Sequence, residues 1–356
     1  LVRLGGHQWV DSGPPRAELN EEHVMKKILN DPKTYVDEML LGLCAAHPLN
    51  YRQTGPAGRV IARPDAPVLG KVGIVTGGGS GHLPVFTGYV GRGLLDAAAI
   101  GDVFASPTVE QMAEAMRQAH GGAGVLRLYG NYGGDVMNFD MAGEFLEMEG
   151  ISSTTVLLAD DVVSAPPEES EKRRGTGGLV YAFKIAGAKA EEMADLQEVT
   201  RIAQKAADAC RSIGMALTPC TVPQAGRPTF EIGDDEMEMG MGIHGEPGIW
   251  RDKLRGADEI AEEMLSRLLA DMPLSAGDRV SVMVNSLGAT PLEELYIVYR
   301  YLKARFDEIG TLVVLPLVGR YATSMEMTGM TLTLCKLDNE LETLLKAPCE
   351  CAFLKV

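Results

Sequence analysis

Two histidines flanked by glycines are the side chains in this sequence best suited to chemistry on a small molecule. His82 follows the run from Gly77 to Gly81, and His244 stands between Gly242 and Gly245. Because glycine has no side chain, a small molecule can approach an imidazole that glycines surround. Imidazole exchanges protons and attacks carbon near neutral pH, so both histidines are candidate acids, bases or nucleophiles.

The glycine run before His82 is by itself compatible with two interpretations. Its amide groups can form a concave donor surface for hydroxyl, carbonyl or phosphate oxygens, or the run can be a tight turn between a strand and a helix. No Gly-Lys-Ser/Thr ends it, as a P-loop requires, and His82 stands where a dinucleotide-binding loop has its third glycine. Neither of those nucleotide-binding motifs is therefore present in this run.

Asp135 is the carboxylate whose position suggests a catalytic role. It ends the segment Asn131 to Asp135, which contains two glycines and follows an apolar stretch that we expect to be a strand. An N-cap of the following helix is the more common role for an aspartate in this place. The glycines before Asp135 and its position at the same sheet edge as His82 raise the alternative of a general base.

Other polar groups favour structural roles. The pair Asp160 and Asp161 suits either a metal ion or a solvated loop, and without a third carboxylate the loop is favoured. Arg173 and Arg174 suit a phosphate or partner contact, but a solvated basic turn is favoured. The remaining histidines lie at expected helix ends or near the N-terminus.

The elements that must position these residues alternate between strands and helices. This order predicts largely parallel or mixed sheets covered by helices, with ligands bound beyond the carboxyl ends of the strands. We expect strands over 72–75, 94–100, 125–129, 154–158, 237–243, 279–284, 311–315 and 331–337, and helices over 136–149, 195–213, 257–271 and 292–309. The glycine run and the Asn131 to Asp135 segment are expected as loops at this edge.

The length of 356 residues exceeds what one hydrophobic core usually supports, so two α/β domains are predicted. Residues 1–24 have no periodicity and are expected to form an arm outside the fold. We expect the first domain, with His82 and Asp135, over 25–205, and the second, with His244, over 206–356.

The charge and cysteine content exclude several classes of partner. A formal net charge of -16 repels nucleic acid and anionic membranes, and neither partner is expected. The six cysteines lack metal-finger spacing, no carboxylate cluster suggests a metal site, and no apolar run is long enough for a membrane helix. We therefore expect a cytoplasmic protein with reduced thiols and no bound metal.

Six short motifs occur in order along the chain and together span most of it. They are Gly77-Gly78-Gly79-Ser80-Gly81-His82, Asn131-Tyr132-x-Gly134-Asp135-x-x-Asn138-Phe139, Arg173-Arg174-Gly175, Cys220-Thr221-Val222-Pro223, Gly240-x-Gly242-Ile243-His244-Gly245-Glu246-Pro247-Gly248 and Asn285-x-Leu287-Gly288-Ala289-Thr290-Pro291. In this order they resemble the substrate-binding (K) subunit of dihydroxyacetone kinases.

The resemblance implies a role for each site residue. His244 would attack the ketone carbon of a short ketose and hold it as a covalent hemiaminal. Asp135 would take the proton from the terminal hydroxyl as that hydroxyl attacks phosphorus. His82 would position the substrate by a hydrogen bond. The wall of the pocket would be formed by Gly79, Ser80 and Gly81.

The resemblance also implies partners. The phosphoryl donor, either ATP with magnesium or a nucleotide recharged by a phosphorelay, would sit on a separate nucleotide-binding L subunit, and this chain would bind no cofactor itself. A homodimer is expected. The alternative is a ketose-sensing paralogue that acts as a transcriptional co-activator without turnover.

Two departures from the expected pattern concern the substrate. Family members commonly have glutamate where this chain has Leu83, and lysine where it has Gly130. Loss of that lysine removes a charged donor and opens space. We therefore hypothesise a preference shifted from dihydroxyacetone toward a four-carbon ketose such as erythrulose.

Overall fold

The structure, a computed structural model, describes residues 26–356, so the predicted arm over 1–24 lies outside the described residues. Eight α-helices form within this part of the chain. They are α1 (Tyr35–Ala46), α2 (Val109–Ala119), α3 (Gly133–Met148), α4 (Gly178–Glu191), α5 (Leu196–Asp208), α6 (Ala257–Asp271), α7 (Leu292–Ile309) and α8 (Asn339–Lys346).

The first sheet has six strands within residues 26–356, in the spatial order β1-β2-β4-β3-β5-β6. Its strands are β1 (Arg52–Thr54), β2 (Val60–Ala62), β3 (Gly73–Ser80), β4 (Ala97–Val103), β5 (Val125–Gly130) and β6 (Ser153–Leu158). The last four of these run parallel to one another, and β1 and β2 add an antiparallel edge. The carboxyl ends of β3, β4 and β5 consequently meet at one edge.

The second sheet is mixed and mainly antiparallel, with seven strands in the described residues. Its path is β11-β10-β7-β15-β12-β13, with β14 also paired to β12. These strands are β7 (Cys210–Thr218), β10 (Glu236–Met239), β11 (Trp250–Lys253), β12 (Arg279–Ser286), β13 (Leu312–Val313), β14 (Leu317–Gly319) and β15 (Thr328–Leu337). A short hairpin, β8 (Thr221–Val222) with β9 (Arg227–Pro228), lies apart from both sheets.

Helix α4 lies between the two sheets. It is apolar around nearly its whole circumference, which is typical of a helix enclosed by other elements. The apolar cluster around α4, which we call the middle core, includes Ile74 of the first sheet and Met283 of the second. The Tyr181 hydroxyl of α4 also lies 3.0 Å from the Ser281 hydroxyl of β12. The two sheets are therefore joined through one shared core.

The outer faces of both sheets are covered by amphipathic helices. Helices α2 and α3 pack on the first sheet through Met112, Met116 and Phe139, and α6 and α7 pack on the second through Leu265 and Leu302. The predicted class, two α/β domains on largely parallel or mixed sheets covered by helices, is confirmed. No helix formed by residues 26–356 is both long and apolar enough to cross a membrane.

The predicted helix over 195–213 is wrong in its last five residues. Asp195 caps α5 by accepting a hydrogen bond from the Glu198 amide, and the helix ends at Asp208. Strand β7 then begins at Cys210, because the Ser212 amide donates to the Asp160 carbonyl at 2.7 Å and the following residues pair with β15. The pairing with the sheet overrides the helical pattern.

The C-terminal end of the predicted second domain, 206–356, packs away from the outer core of that domain. The predicted boundary between 205 and 206 stays a prediction and falls inside α5. Leu341, Leu344 and Leu345 of α8 pack into the middle core, and the Glu350 amide donates to the Arg92 carbonyl of the first unit. The apolar face of α8 is covered there, against α4, so this last segment closes the shared core.

Candidate active site

His82 is fully buried just after β3, beyond the turn at Gly81, and one of its ring nitrogens is hydrogen-bonded. Its Nδ1 lies 2.7 Å from the Thr323 carbonyl oxygen, which can only accept, so Nδ1 carries the proton. Nε2 has no hydrogen-bond partner among the described residues. Burial, and next the charge of His244, lower the pKa of His82 to about 3, so the ring is neutral at pH 7 and offers the Nε2 lone pair.

The glycine run before His82 is a strand and not the expected loop. Gly77, Gly78 and Gly79 lie within β3, paired with β4, and the turn begins only at Gly81. A Cβ at Gly79 would stand 2.7 Å from the Ala105 amide nitrogen, so this strand accepts the neighbouring backbone only because it has no side chain there. Close packing, and not turn geometry, explains these glycines.

Asp135 lies in the first turn of α3 and is directed into the protein. The helix begins after Tyr132, and its N-cap makes no side-chain hydrogen bond, so the N-cap interpretation of Asp135 is wrong. The carboxylate is 6% exposed and its Oδ1 has no hydrogen-bond partner among residues 26–356. Burial raises the pKa of Asp135 to about 6, although a hydrogen bond from Ser106 and the charge of His244 act in the opposite direction.

His244 lies in a turn, because β10 ends at Met239 and not at Ile243 as the alternation predicted. Gly240 leaves the strand with φ +87°, and its amide donates to the Gly214 carbonyl at 2.7 Å. The chain thereby bends away from the ladder and carries His244 toward the first sheet.

Glu246 fixes the orientation of His244. His244 Nδ1 lies 2.8 Å from Glu246 Oε1, and the His244 amide donates to Glu246 Oε2 at 2.9 Å. Burial opposes ionisation of Glu246, but these hydrogen bonds and the His244 charge outweigh it and lower the pKa of Glu246 to about 2. An ionised carboxylate at Nδ1 keeps the proton there and leaves Nε2 as the nucleophilic atom.

The two histidines meet at the junction of the two units. Their ring centroids are 4.7 Å apart and nearly perpendicular. Phe104 stacks on His82 at 4.8 Å, and Tyr132 meets His244 edge to face at 4.8 Å. Residues that follow β3, β4 and β5 thus meet the turn after β10 at one small site with aromatic walls.

The aspartate and arginine pairs after β6 are buried supports and not solvated loops. Asp160 accepts hydrogen bonds from the Thr176 and Gly178 amides, and Asp161 pairs with Arg174 at 2.7 Å. Arg173 is buried against Asp271 at 2.6 Å. The solvated interpretation is therefore wrong for both pairs. Among the described residues, no group of three or more potential ligands has metal-binding geometry.

The Dak1 domain family matches residues 41–353, nearly the whole described chain. This chain belongs to the Dak1 family. Its Dak1 relatives include the dihydroxyacetone-binding subunit DhaK of PTS-dependent dihydroxyacetone kinase 1 from Listeria innocua, 45% identical over 317 residues, which are 89% of this chain and 95% of the relative.

Two further relatives place the Dak1 unit within longer proteins. L-erythrulose kinase from Pectobacterium atrosepticum is 43% identical over 330 residues, or 92% of this chain and 55% of that protein. The crystal structure of the dihydroxyacetone kinase of C. freundii has a TM-score of 0.86 at 31% identity, covering 93% of this chain and 60% of that one. This chain therefore spans little more than half of either protein.

Gly130 and Leu83 are two of the positions where the chain departs from the pattern that the resemblance leads us to expect. Gly130 ends β5, and the Tyr132 ring lies 3.1 Å from the place where a Cβ would stand. The space beside Gly130 is thus partly lined by an aromatic ring. The Leu83 carbonyl accepts a hydrogen bond from the Thr323 hydroxyl at 3.0 Å, which ties this segment to the second unit.

Sequence reasoning gave no role to several residues that build this Dak1 site. Phe104 and Ser106 were not singled out, and Tyr132 was only part of a motif. Phe104 has φ +58°, which is unusual for a bulky residue. No pattern in the sequence predicts this backbone conformation. The available signal was position, since Phe104 directly follows β4 at the same sheet edge as His82.

Proposed function

We propose that this chain is the ketose-binding catalytic subunit of a dihydroxyacetone-type kinase. The observation that carries the proposal is the proximity of His244 to two groups with a buried, unpartnered polar atom. His82, with Nε2 unpartnered, meets the His244 ring, and Asp135, with Oδ1 unpartnered, is close enough for the charge of His244 to affect its pKa. Buried polar atoms are costly unless a partner satisfies them. A small molecule with a carbonyl and several hydroxyl groups supplies such partners, and the matching DhaK relative is a dihydroxyacetone-binding subunit.

His244 is the proposed covalent tether. Its Nε2 lone pair forms a bond to the ketone carbon, and the C=O π pair moves to oxygen, which takes up a proton from solvent. The positive charge that develops on the substituted imidazole lies beside the ionised Glu246 carboxylate, 2.8 Å from Nδ1. No water is lost, so the protein gains the full mass of the ketose. Saturated polyols have no carbonyl and are excluded.

Asp135 is the proposed general base, and His82 the positioning group. A pKa near 6 leaves Asp135 ionised at pH 7 but more basic than an ordinary aspartate, as general base catalysis requires. It takes the proton of the terminal hydroxyl while that oxygen bonds to phosphorus and the bond from phosphorus to the donor breaks. His82 accepts a hydrogen bond from the substrate at Nε2. The wall is formed by Gly79, Ser80 and Gly81.

The phosphoryl donor is proposed to reside on a separate nucleotide-binding subunit, as ATP with magnesium or as a nucleotide recharged by a phosphorelay. Support comes from the match over 95% of a protein named as one subunit of a PTS-dependent kinase. Because such donors are made inside the cell, the proposal includes a cytoplasmic location. A homodimer is the assembly that the resemblance implies.

The substrate is proposed to be a short ketose, with erythrulose favoured over dihydroxyacetone because Gly130 replaces the expected lysine. Turnover of both ketoses is compared side by side with one partner subunit and donor. A kcat/KM for dihydroxyacetone equal to or above that for both erythrulose enantiomers contradicts this preference.

The tether is tested by intact-mass measurement after incubation with dihydroxyacetone, D-erythrulose or L-erythrulose. The wild-type protein is expected to gain the ketose mass, His244→Ala to gain none, and the control His47→Ala to react normally. An adduct on His244→Ala would place the nucleophile elsewhere. A wild-type adduct without phosphorylation by either type of donor would favour the co-activator alternative.

A further inference from the structure

The outer face of α3 is an apolar stripe that starts beside the proposed general base. Met137, Met141, Phe145 and Met148 follow one another at helical spacing, and each is 44–77% exposed. The opposite face of α3, with Phe139 and Leu146, is buried against the first sheet. The stripe runs for about 17 Å at 1.5 Å per residue. Four large exposed apolar side chains in a row are typical of a binding surface.

One flank of this methionine stripe is acidic. Asp140, Glu144 and Glu147 are exposed along the same side of the helix, and α3 contains no lysine or arginine. Arg127 approaches Asp140 at 3.4 Å but is itself mostly buried. The surface therefore combines an apolar centre with a negative edge and fits a partner with an apolar patch bordered by lysine or arginine.

The position of the stripe relative to Asp135 identifies the kind of partner. Asp135 lies in the first turn of α3, two residues before Met137, and Gly133 and Gly134 between Tyr132 and Asp135 are exposed. A donor that delivers phosphorus to a hydroxyl held at Asp135 must come close to this end of the helix. Methionine is common in surfaces that bind protein partners, because its side chain adapts its shape.

We propose that the methionine stripe and its acidic flank are the docking surface for the protein that carries the phosphoryl donor. This inference rests on the proposed function, since it needs a donor on another polypeptide. Apolar contacts along Met137, Met141 and Phe145 hold the complex, and the acidic flank guides a basic edge of the partner into register.

The test uses Met141→Lys, with Ile297→Lys on α7 as the matched control. Met141 is 44% exposed and Ile297 48% exposed, and both lie on helices with other exposed apolar residues. The probe is a purified nucleotide-binding L subunit that supports phosphorylation by the wild-type chain, titrated against a fixed amount of this chain and ketose. Met141→Lys is expected to raise the half-saturating subunit concentration about tenfold or more, and Ile297→Lys to leave it unchanged.

A charge pair of variants tests the acidic flank. Glu144→Lys is expected to raise the half-saturating concentration most strongly at low salt, whereas Glu293→Lys on α7 leaves it unchanged. Both glutamates are exposed. All four variants are expected to form the ketose adduct at the wild-type rate, since none lies in the site.

Each adverse result has a separate meaning. A half-saturating concentration that Met141→Lys and Glu144→Lys leave unchanged overturns the docking surface while the proposed function stands. An increase caused by Ile297→Lys instead places the partner on α7 and also overturns it. If Met141→Lys dissociates a dimer, as seen by light scattering, the methionine stripe binds a second copy of this chain, and the docking surface for the donor protein is overturned. A wild-type protein that forms no adduct or is not phosphorylated overturns the proposed function and this inference together.

Discussion

The polar atoms of the site are held in states that cost stability. His82 is buried without protonation, and Asp135 is buried with one oxygen unpartnered. Their low exposure gives a neutral imidazole and a carboxylate that is more basic than usual. A protein that bound nothing here would gain stability from apolar residues at both positions, so the arrangement indicates selection for binding or chemistry.

Asp135→Asn is expected to stop phosphoryl transfer and to stabilise the fold at pH 7. The pKa of Asp135 is raised to about 6, so ionisation of the folded protein carries a penalty that is present above pH 6 and absent below about pH 4. A shift of about two units corresponds to about 3 kcal/mol at most. Urea unfolding at pH 7 should show a gain of about 1–3 kcal/mol that vanishes at pH 4.

The pH dependence of the wild-type enzyme follows from the same group. Since a general base must be ionised, the phosphorylation rate should fall as the pH decreases through about 6. The ketose adduct should persist in Asp135→Asn, as measured by intact mass. If Asp135→Asn phosphorylates ketose at the wild-type rate, Asp135 is not the general base.

Gly130→Lys is expected to shift substrate preference toward dihydroxyacetone. A lysine restores the charged donor expected at this position, and the Tyr132 ring beside it needs to move by only a few tenths of an ångström. The ratio of kcat/KM for dihydroxyacetone to that for erythrulose should rise about tenfold, the effect of one hydrogen bond to a charged group. The control is Gly133→Lys, where nothing lies within 4 Å. An unchanged ratio of kcat/KM values would show that Gly130 does not determine the substrate preference.

At the scale of elements, the strand ends hold the site, and their geometry depends on glycines. Gly81 has φ +100°, and a Cβ there would stand 2.8 Å from the Phe104 ring that stacks on His82. Gly122 has nearly the same φ, +99°, but nothing lies within 4 Å of its Cβ position. An alanine at either position strains the backbone, but only an alanine at Gly81 also displaces Phe104. Comparing the two variants therefore distinguishes these two effects.

Gly81→Ala should impair the site, and Gly122→Ala only the stability. Both variants are expected to lose about 1 kcal/mol of folding stability, because alanine is strained in a left-handed backbone conformation. Only Gly81→Ala pushes the Phe104 ring and with it His82, so its rate of adduct formation should fall about tenfold or more, the loss expected from small displacements of positioned groups. Thermal unfolding and time-resolved mass measurement provide the two readouts. Equal adduct rates in both variants would show that Phe104 does not position His82.

Much of the element order was predictable because it rests on local patterns. The strand at 125–129 and the helices over 257–271 and 292–309 closely match β5, α6 and α7, whose apolar periodicity is strong. The failures occurred where tertiary contacts decide the structure. The first four residues of β7 follow the helical pattern of α5, and their strand structure depends on β15, which lies more than 100 residues away. The glycines of β3 resemble a loop because the packing of Phe86 and Phe104 against them leaves no local signal.

For the candidate site, residue type and spacing indicated His82, His244 and Asp135 as candidates, and their roles stay predictions, whereas the residues that support them were not predictable. Glu246 was visible as a motif residue only, and its bond to His244 Nδ1 depends on the turn geometry. Asp161 and Arg174 were assigned to a solvated loop although they pair in the interior, because charge alone does not reveal burial. Sequence patterns thus indicate candidate chemical groups more readily than the contacts that hold those groups in place.

At the scale of the molecule, the site exists only where the two units are joined. His82 comes from the first sheet, yet its Nδ1 partner is the Thr323 carbonyl of the second unit, and His244 reaches it from the turn after β10. Helix α4 and the C-terminal helix α8 fill the core between the sheets. The relative position of the units, and hence the distance between the histidines, is therefore set by this middle core.

The last prediction tests that dependence with Leu344→Ala. Leu344 is buried in the middle core, and its carbonyl accepts a hydrogen bond from Lys184 Nζ of α4 at 2.7 Å. The variant should lose about 2–5 kcal/mol of stability and increase amide hydrogen exchange in α4. Leu265→Ala, in the outer core of the second sheet, should lose a similar amount but increase exchange in α6 and α7. Because only Leu344 belongs to the core that joins the units, only its variant should also slow adduct formation. If Leu344→Ala instead loosens α6 and α7 and spares α4, residues 206–356 fold as one unit and the site does not depend on the middle core.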